Sequence, residues 1–218
     1  MLHHHPDTEI LTDYAAGSLP FGQSLCVAVH LESCEQCRLR TRQLSQLGAE
    51  LMNQLLPVAV GDGLLDSILG KLDSTREVAV TVSKAPPIEG VPRSLGKLLP
   101  NGLDAAPWKR VTANLQTAIL SVGDAANQVA LVRIKPGGRI PEHRHGGTET
   151  TVVLRGGFSD QGGNYIAGDF VTLGEEHSHQ PIAHQNSDCI CLTAQDAPLQ
   201  FTGFWSKLAN PFISINPQ

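Results

Sequence analysis

The sequence has no stretch approaching 18 uninterrupted apolar residues, the length that marks a membrane-spanning helix. Its first thirty residues also lack the charged segment followed by an apolar run that forms a secretory leader. A cytoplasmic protein with no membrane partner is therefore expected. A cationic surplus is missing as well: 16 Lys and Arg stand against 21 Asp and Glu, a net charge of −5, which argues against direct nucleic-acid binding. Cysteine is sparse and odd in number, and two of the five fall in a C-x2-C pair, which suits thiolate metal binding in a reducing compartment better than a disulfide framework. What the chain does have is 218 residues at 41% hydrophobic content, enough for two small domains or one large one.

The first 75 residues read as a helical module. Apolar residues at 10, 11, 14 and 15 have helical spacing and are stopped by Gly17. A second helix is expected from Phe21 to about Leu31, and a third from about Cys34 to Leu55, with Leu39, Leu44, Leu47 and Leu51 on one stripe. After Pro57, Gly63 to Leu72 reads as a fourth, with Leu64, Leu65, Ile68 and Leu72 on one face. At the junction of the second and third lies H-x3-C-x2-C, from His30 to Cys34 and Cys37. Two thiols one helical turn apart face one point, and His30 reaches it from the preceding helix. Tetrahedral zinc needs a fourth ligand, and within the His3–His5 run, taken as native rather than a tag remnant, His5 is best placed. Cys26, alone on an apolar face, reads as a small core residue. The module holds four Lys/Arg against nine Asp/Glu and is acidic by five charges.

Residues 76–94, rich in Pro and Gly, read as a linker. From 95 to 218 short apolar-alternating runs are separated by Gly, Pro, Asn and Asp clusters, the text of an all-β sandwich or barrel. They are Trp108 to Thr112, Leu115 to Val122, Gln128 to Ile134, Thr150 to Leu154, Asn164 to Ile166, Phe170 to Leu173, His179 to Ala183, Cys189 to Thr193 and Leu199 to Phe204. Between Gly137 and Gly156 runs G-x5-H-x-H-x3-E-x6-G. On an extended strand His143 and His145 share a face, and Glu149 can return to it after the bend at Gly146-Gly147. Two imidazoles and a carboxylate suit zinc, iron, manganese or nickel with open positions. Cys189 and Cys191 also share a strand face; as residues i and i+2 they are poorly placed for a mutual disulfide, and core packing or a redox role are both open to them.

The run from Gly137 to Gly156 resembles cupin motif 1 at every fixed position. In cupins a second motif places a further histidine eleven residues after a strand-opening Gly, which from Gly168 reaches His179. Gly174, Glu176 and Ala183 depart from that motif, so His177 competes for the role. The resemblance implies a C-terminal double-stranded β-helix, or jelly roll, holding zinc or another divalent transition metal through His143, His145, Glu149 and His179.

With the H-x3-C-x2-C helices, the upstream histidines, Leu11-Thr12-x-Tyr14-Ala15-Ala16-Gly17 and the late Asp188-Cys189-Ile190-Cys191-Leu192, the whole chain resembles the ChrR-type zinc-binding anti-sigma factors. That resemblance implies a multidomain α plus all-β protein, with a Zn2+-binding helical domain that grips an extracytoplasmic-function (ECF) sigma factor. It also implies a sensory cupin that releases the partner in response to singlet oxygen or organic peroxide, and no catalysis. An acidic, apolar-striped module suits the basic surface a sigma factor presents to promoter DNA. The competing reading is a metal-dependent, dioxygenase-like cupin enzyme with a helical zinc arm. Each domain is expected to have its own core, with few contacts crossing the boundary.

Overall fold

Asp7 opens the first helix, α1 (Thr8–Ala16), by accepting the Ile10 N–H at 2.8 Å, and Gly17 ends it in the left-handed region at φ 74°. The computed structural model describes residues 2–74, 87–124 and 126–201. Pro20 precedes α2 (Phe21–Ser33) and offers no side-chain cap. Asp124, a hundred residues later, supplies one: its Oδ2 accepts the Gly22 N–H at 2.6 Å. Cys34 caps α3 (Glu35–Asn53) through its sulfur, which accepts the Cys37 N–H at 3.4 Å. α4 (Leu64–Ser74) completes the helical half.

Twelve strands follow among the described residues: β1 (Lys109–Arg110), β2 (Leu115–Ile119), β3 (Gln128–Ile134), β4 (His143–His145), β5 (Glu149–Arg155), β6 (Gly157–Asp160), β7 (Gly163–Ile166), β8 (Phe170–Leu173), β9 (Ser178–His179), β10 (Ile182–Ala183), β11 (Cys189–Gln195) and β12 (Leu199–Phe201). They form a six-stranded sheet in the order β1-β2-β3-β11-β5-β8 and two three-stranded sheets, β10-β6-β7 and β12-β4-β9. All the named pairings are antiparallel. The fold is thus helical bundle plus all-β cupin. The expected strand of Leu199 to Phe204 is seen as far as Phe201, and its remainder lies outside the described residues, as do 76–86 of the expected linker.

The expectation of two separate cores is corrected by the packing. β11 is buried on both faces: Ile190, Leu192 and Ala194 turn outward, Cys189 and Cys191 inward. The outward set, with Val129, Leu131 and Val152, forms one cluster with Leu11, Leu25, Cys26, Val27 and Val29 of the helices. At Gly22 the helix comes so close that a Cβ would stand 2.7 Å from Val129 Cγ2. Glu32, at the other end of α2, accepts the Arg93 and Ser94 N–H groups at 2.9 and 2.8 Å. Outward-facing apolar residues of an antiparallel sheet must be covered, and α2 is their cover. The helical stripes, by contrast, stay largely open: Leu47 and Leu51 of α3 are more than half exposed, and Leu64, Leu65, Ile68 and Leu72 of α4 are exposed too.

Candidate metal centres

His5, His30, Cys34 and Cys37 come together with their ligand atoms within 4.8 Å of one another. His5 Nδ1 lies 3.3 Å from the Cys34 sulfur and 3.5 Å from the Cys37 sulfur. His30 is fully buried, and its Nδ1–H donates to the Gly168 carbonyl at 2.7 Å. That bond fixes the tautomer, so Nε2 carries the lone pair, and this buried atom has no hydrogen-bond partner. Burial, with the hydrogen bond and charge of Cys34, pushes the Cys37 thiol up to about 12. Burial also lowers the His30 pKa and keeps its ring neutral. An orphaned imidazole nitrogen beside two thiols and a second imidazole fits zinc, whose charge would reverse the cost of ionising the thiols.

The seat of this centre is built by the cupin. Asp169, buried at the β7–β8 turn, accepts the His3 and His4 N–H groups on Oδ1 at 3.0 and 3.2 Å and the Ile166 N–H on Oδ2 at 2.9 Å. The Phe170 N–H donates to the His4 carbonyl at 3.1 Å. Three hydrogen bonds to its backbone thereby hold the segment leading into His5. Gly168 itself has φ 95°, and a Cβ there would meet Leu2 and Ser33 at 2.9 and 3.3 Å.

The second centre gathers His143, His145 and His179 within the same 4.8 Å limit, all three buried. β9 pairs with β4 so that His179 stands opposite His143. The His143 Nδ1–H donates to the Pro141 carbonyl at 2.9 Å, and the His179 Nδ1–H to Asp160 Oδ2 at 2.7 Å. Their Nε2 atoms therefore meet as lone pairs 3.1 Å apart, with His145 Nε2 at 3.2 Å from that of His179. Burial lowers the pKa of both His143 and His145 to about 4, which keeps them neutral as ligands must be. Facing lone pairs repel unless a cation sits among them, so this donor set fits a divalent transition metal. His177 stands outside the group: it is half exposed, and its Nδ1 is engaged with Glu176 and the Gly174 N–H.

Glu149 is not drawn into the histidine group. It begins β5, opposite Gln195 of the six-stranded sheet, whereas the histidines stand on the sheet β12-β4-β9. Its Oε1 accepts from the Thr151 hydroxyl at 3.0 Å, its Oε2 accepts from the Gln195 amide, and Oε2 lies 3.7 Å from His145 Nδ1. Glu149 nevertheless lines, with His143 and His179, a cavity of about 60 Å³ whose other walls include the apolar Val132, Ile140 and Val171.

The matched family is the ChrR cupin-like domain, over residues 102–198. The anti-sigma-E factor ChrR of Cereibacter sphaeroides is 38% identical over 215 residues, 98% of this chain and 99% of its own. The chain belongs to the ChrR family of anti-sigma factors. It is therefore a regulatory protein and not an enzyme. A chain in the crystal structure of Rhodobacter sphaeroides SigE in complex with the anti-sigma ChrR superposes at a TM-score of 0.79. It is 35% identical, and the match covers 90% of this chain and all of that one.

Within this ChrR-family chain, Cys189 and Cys191 are free thiols on the barrel interior with sulfurs 3.7 Å apart, too far for a bond of about 2 Å. The hydrogen bond shared with Cys189 and burial raise the Cys191 pKa, so its thiol rests protonated. Asp160 escaped the sequence reading because β6 did. The signal was there: Asp160-Gln161-Gly162-Gly163 pairs its ends across a two-residue hairpin turn between short strands.

Proposed function

We propose that this chain sequesters an ECF sigma factor through its zinc-bound helical half and releases it when the cupin receives an oxidative signal, singlet oxygen or an organic peroxide. The reading assigns residues 1–75 to sigma binding, 76–94 to the linker and 95–218 to sensing. The protein acts in the cytoplasm, where a sigma factor would be met.

The observation that carries the reading is the exposed apolar surface of α3 and α4 on an acidic helical half, in a chain 38% identical to an anti-sigma factor along nearly its whole length. Exposed leucines on two helices suit capture of a helical partner, and the acidic charge suits the basic face by which such a partner holds DNA. His5, His30, Cys34 and Cys37 would hold Zn2+, which supplies structure rather than reactivity. His143, His145 and His179, with Glu149 as the adjacent carboxylate, would hold zinc or another divalent transition metal. That ion supplies Lewis acidity and, if it is a redox metal, sensitivity to oxidants. The chain's own part is to keep these imidazoles neutral and oriented behind apolar walls.

Co-expression with ECF sigma factors tests the reading. A stable one-to-one complex that dissociates on photosensitised oxidation or peroxide supports it; absence of any sigma complex refutes it.

A further inference from the structure

A continuous line of contacts runs from the cupin histidines to the zinc-module histidines. His179 Nδ1–H donates to Asp160 Oδ2 at 2.7 Å, inside a pair whose side chains are 8% and 3% exposed. The other carboxylate oxygen of Asp160 is held by the Gly162 and Gly163 N–H groups at 2.8 and 3.2 Å. The Tyr165 hydroxyl stands beside the same carboxylate: a Cβ on Gly162 would lie 2.8 Å from that hydroxyl and 3.3 Å from Asp160 Oδ1. The Tyr165 ring, buried and stacked on Phe158, lies 4.3 Å from the His4 ring. His4 precedes His5, and its backbone is bonded at both N–H and carbonyl to Asp169 and Phe170.

We infer that Asp160 and Tyr165 are positioning residues that join the two metal centres, so that a change at His179 is felt at His5. The inference rests on the reading that both histidine sets hold metals. A histidine bound through Nε2 is oriented by the partner of its Nδ1, and loss of such a partner typically weakens metal affinity 10–100-fold. Asp160 is that partner for His179. Because Tyr165 is set against the same carboxylate, a turn of the His179 ring displaces the neighbour of the Tyr165 hydroxyl. Tyr165 in turn is the wall on which His4 rests. Burial, with the charge of Asp160, pushes the Tyr165 pKa up to about 12, so the hydroxyl remains protonated at neutral pH. Neither residue touches the thiolates, and neither is needed as a metal ligand.

The test uses full-length protein in four forms: wild type, His143→Ala, Tyr165→Phe and the double variant. For each, metal content and the rate of zinc release to a chelating dye are measured, with circular dichroism as the check on folding. Two metal equivalents are expected in wild type and in Tyr165→Phe, and one in the other two. His143→Ala should release its zinc several-fold faster than wild type, and the Tyr165→Phe background should abolish that difference. Asp160→Asn should weaken cupin metal binding 10–100-fold with the fold retained. Should His143→Ala fold poorly, His145→Ala empties the same centre. If wild type carries two equivalents yet zinc release ignores the loss of the cupin ligand, or the difference persists without the Tyr165 hydroxyl, the coupling is overturned and the two-centre reading stands. A wild-type protein carrying one equivalent overturns both.

Discussion

His30 and Gly168 stand 138 positions apart in the chain, and the His30 Nδ1–H donates to the Gly168 carbonyl at 2.7 Å. A ligand on a helix is thus oriented by a turn of the cupin. Gly168→Ala should strain the left-handed backbone and press on Leu2 and Ser33, costing about 1–2 kcal/mol. Urea unfolding measures the loss, and faster zinc release in the same variant places its effect at His30.

Cys34→Ser with Cys37→Ser should abolish zinc binding in the helical half and with it sigma-factor capture. Structural zinc in small modules is worth on the order of 10 kcal/mol of apparent binding free energy. The variant should still hold its cupin metal, and metal analysis together with helicity by circular dichroism checks both halves of the expectation.

His179→Ala should remove the cupin metal and His177→Ala should not, because only the first lies among the buried imidazoles. Equilibrium dialysis of the two variants against a divalent metal decides it. A loss in His177→Ala alone would overturn the assignment.

Leu47→Glu with Leu51→Glu should cut sigma-factor binding at least tenfold. Both positions are exposed, at 57% and 56%, so stability should change by less than about 0.5 kcal/mol. Glu retains good helix propensity, so a binding loss without a melting shift locates the interface on this stripe. Equal losses of binding and stability would point to unfolding.

Asp124 is the cap that α2 borrows from the cupin. Burial would raise its pKa, but the N–H groups of Gly22, Ala126 and Asn127 and the Asn127 amide outweigh burial, and the net shift is downward. A carboxylate lowered in the folded state adds stability that is full above its unfolded pKa, about 4, and is lost as pH falls through the folded value. Asp124→Ala should cost about 1–2 kcal/mol at pH 7, and the gap to wild type should narrow below pH 3. Chemical denaturation at the two pH values reads it.

The sequence disclosed most about what is local. C-x2-C on one helical turn, H-x-H on one strand face and the helix periods all need only neighbours in the chain, and the four helices and most strands lie where their patterns put them. It disclosed little about what is distant. That Asp124 caps α2, Glu32 caps the turn at Arg93, and Gly168 and Asp169 seat the histidines depends on how sheet and helices pack, and no spacing rule carries it. Glu149 shows the same limit: its sequence distance from His145 says nothing of its register with Gln195 on another sheet.

The anchoring of His3 to Asp169 spans 166 positions, nearly the length of the described chain. During synthesis at about 5–20 residues per second, the last zinc ligand, Cys37, is made roughly 7–26 s before Gly168 and Asp169 exist to hold the set. The helical half is therefore presented first in an unbraced form, with the α2 face that later meets the sheet still open to solvent. Whatever binds the nascent helices in that interval meets a different surface from the one the finished protein shows.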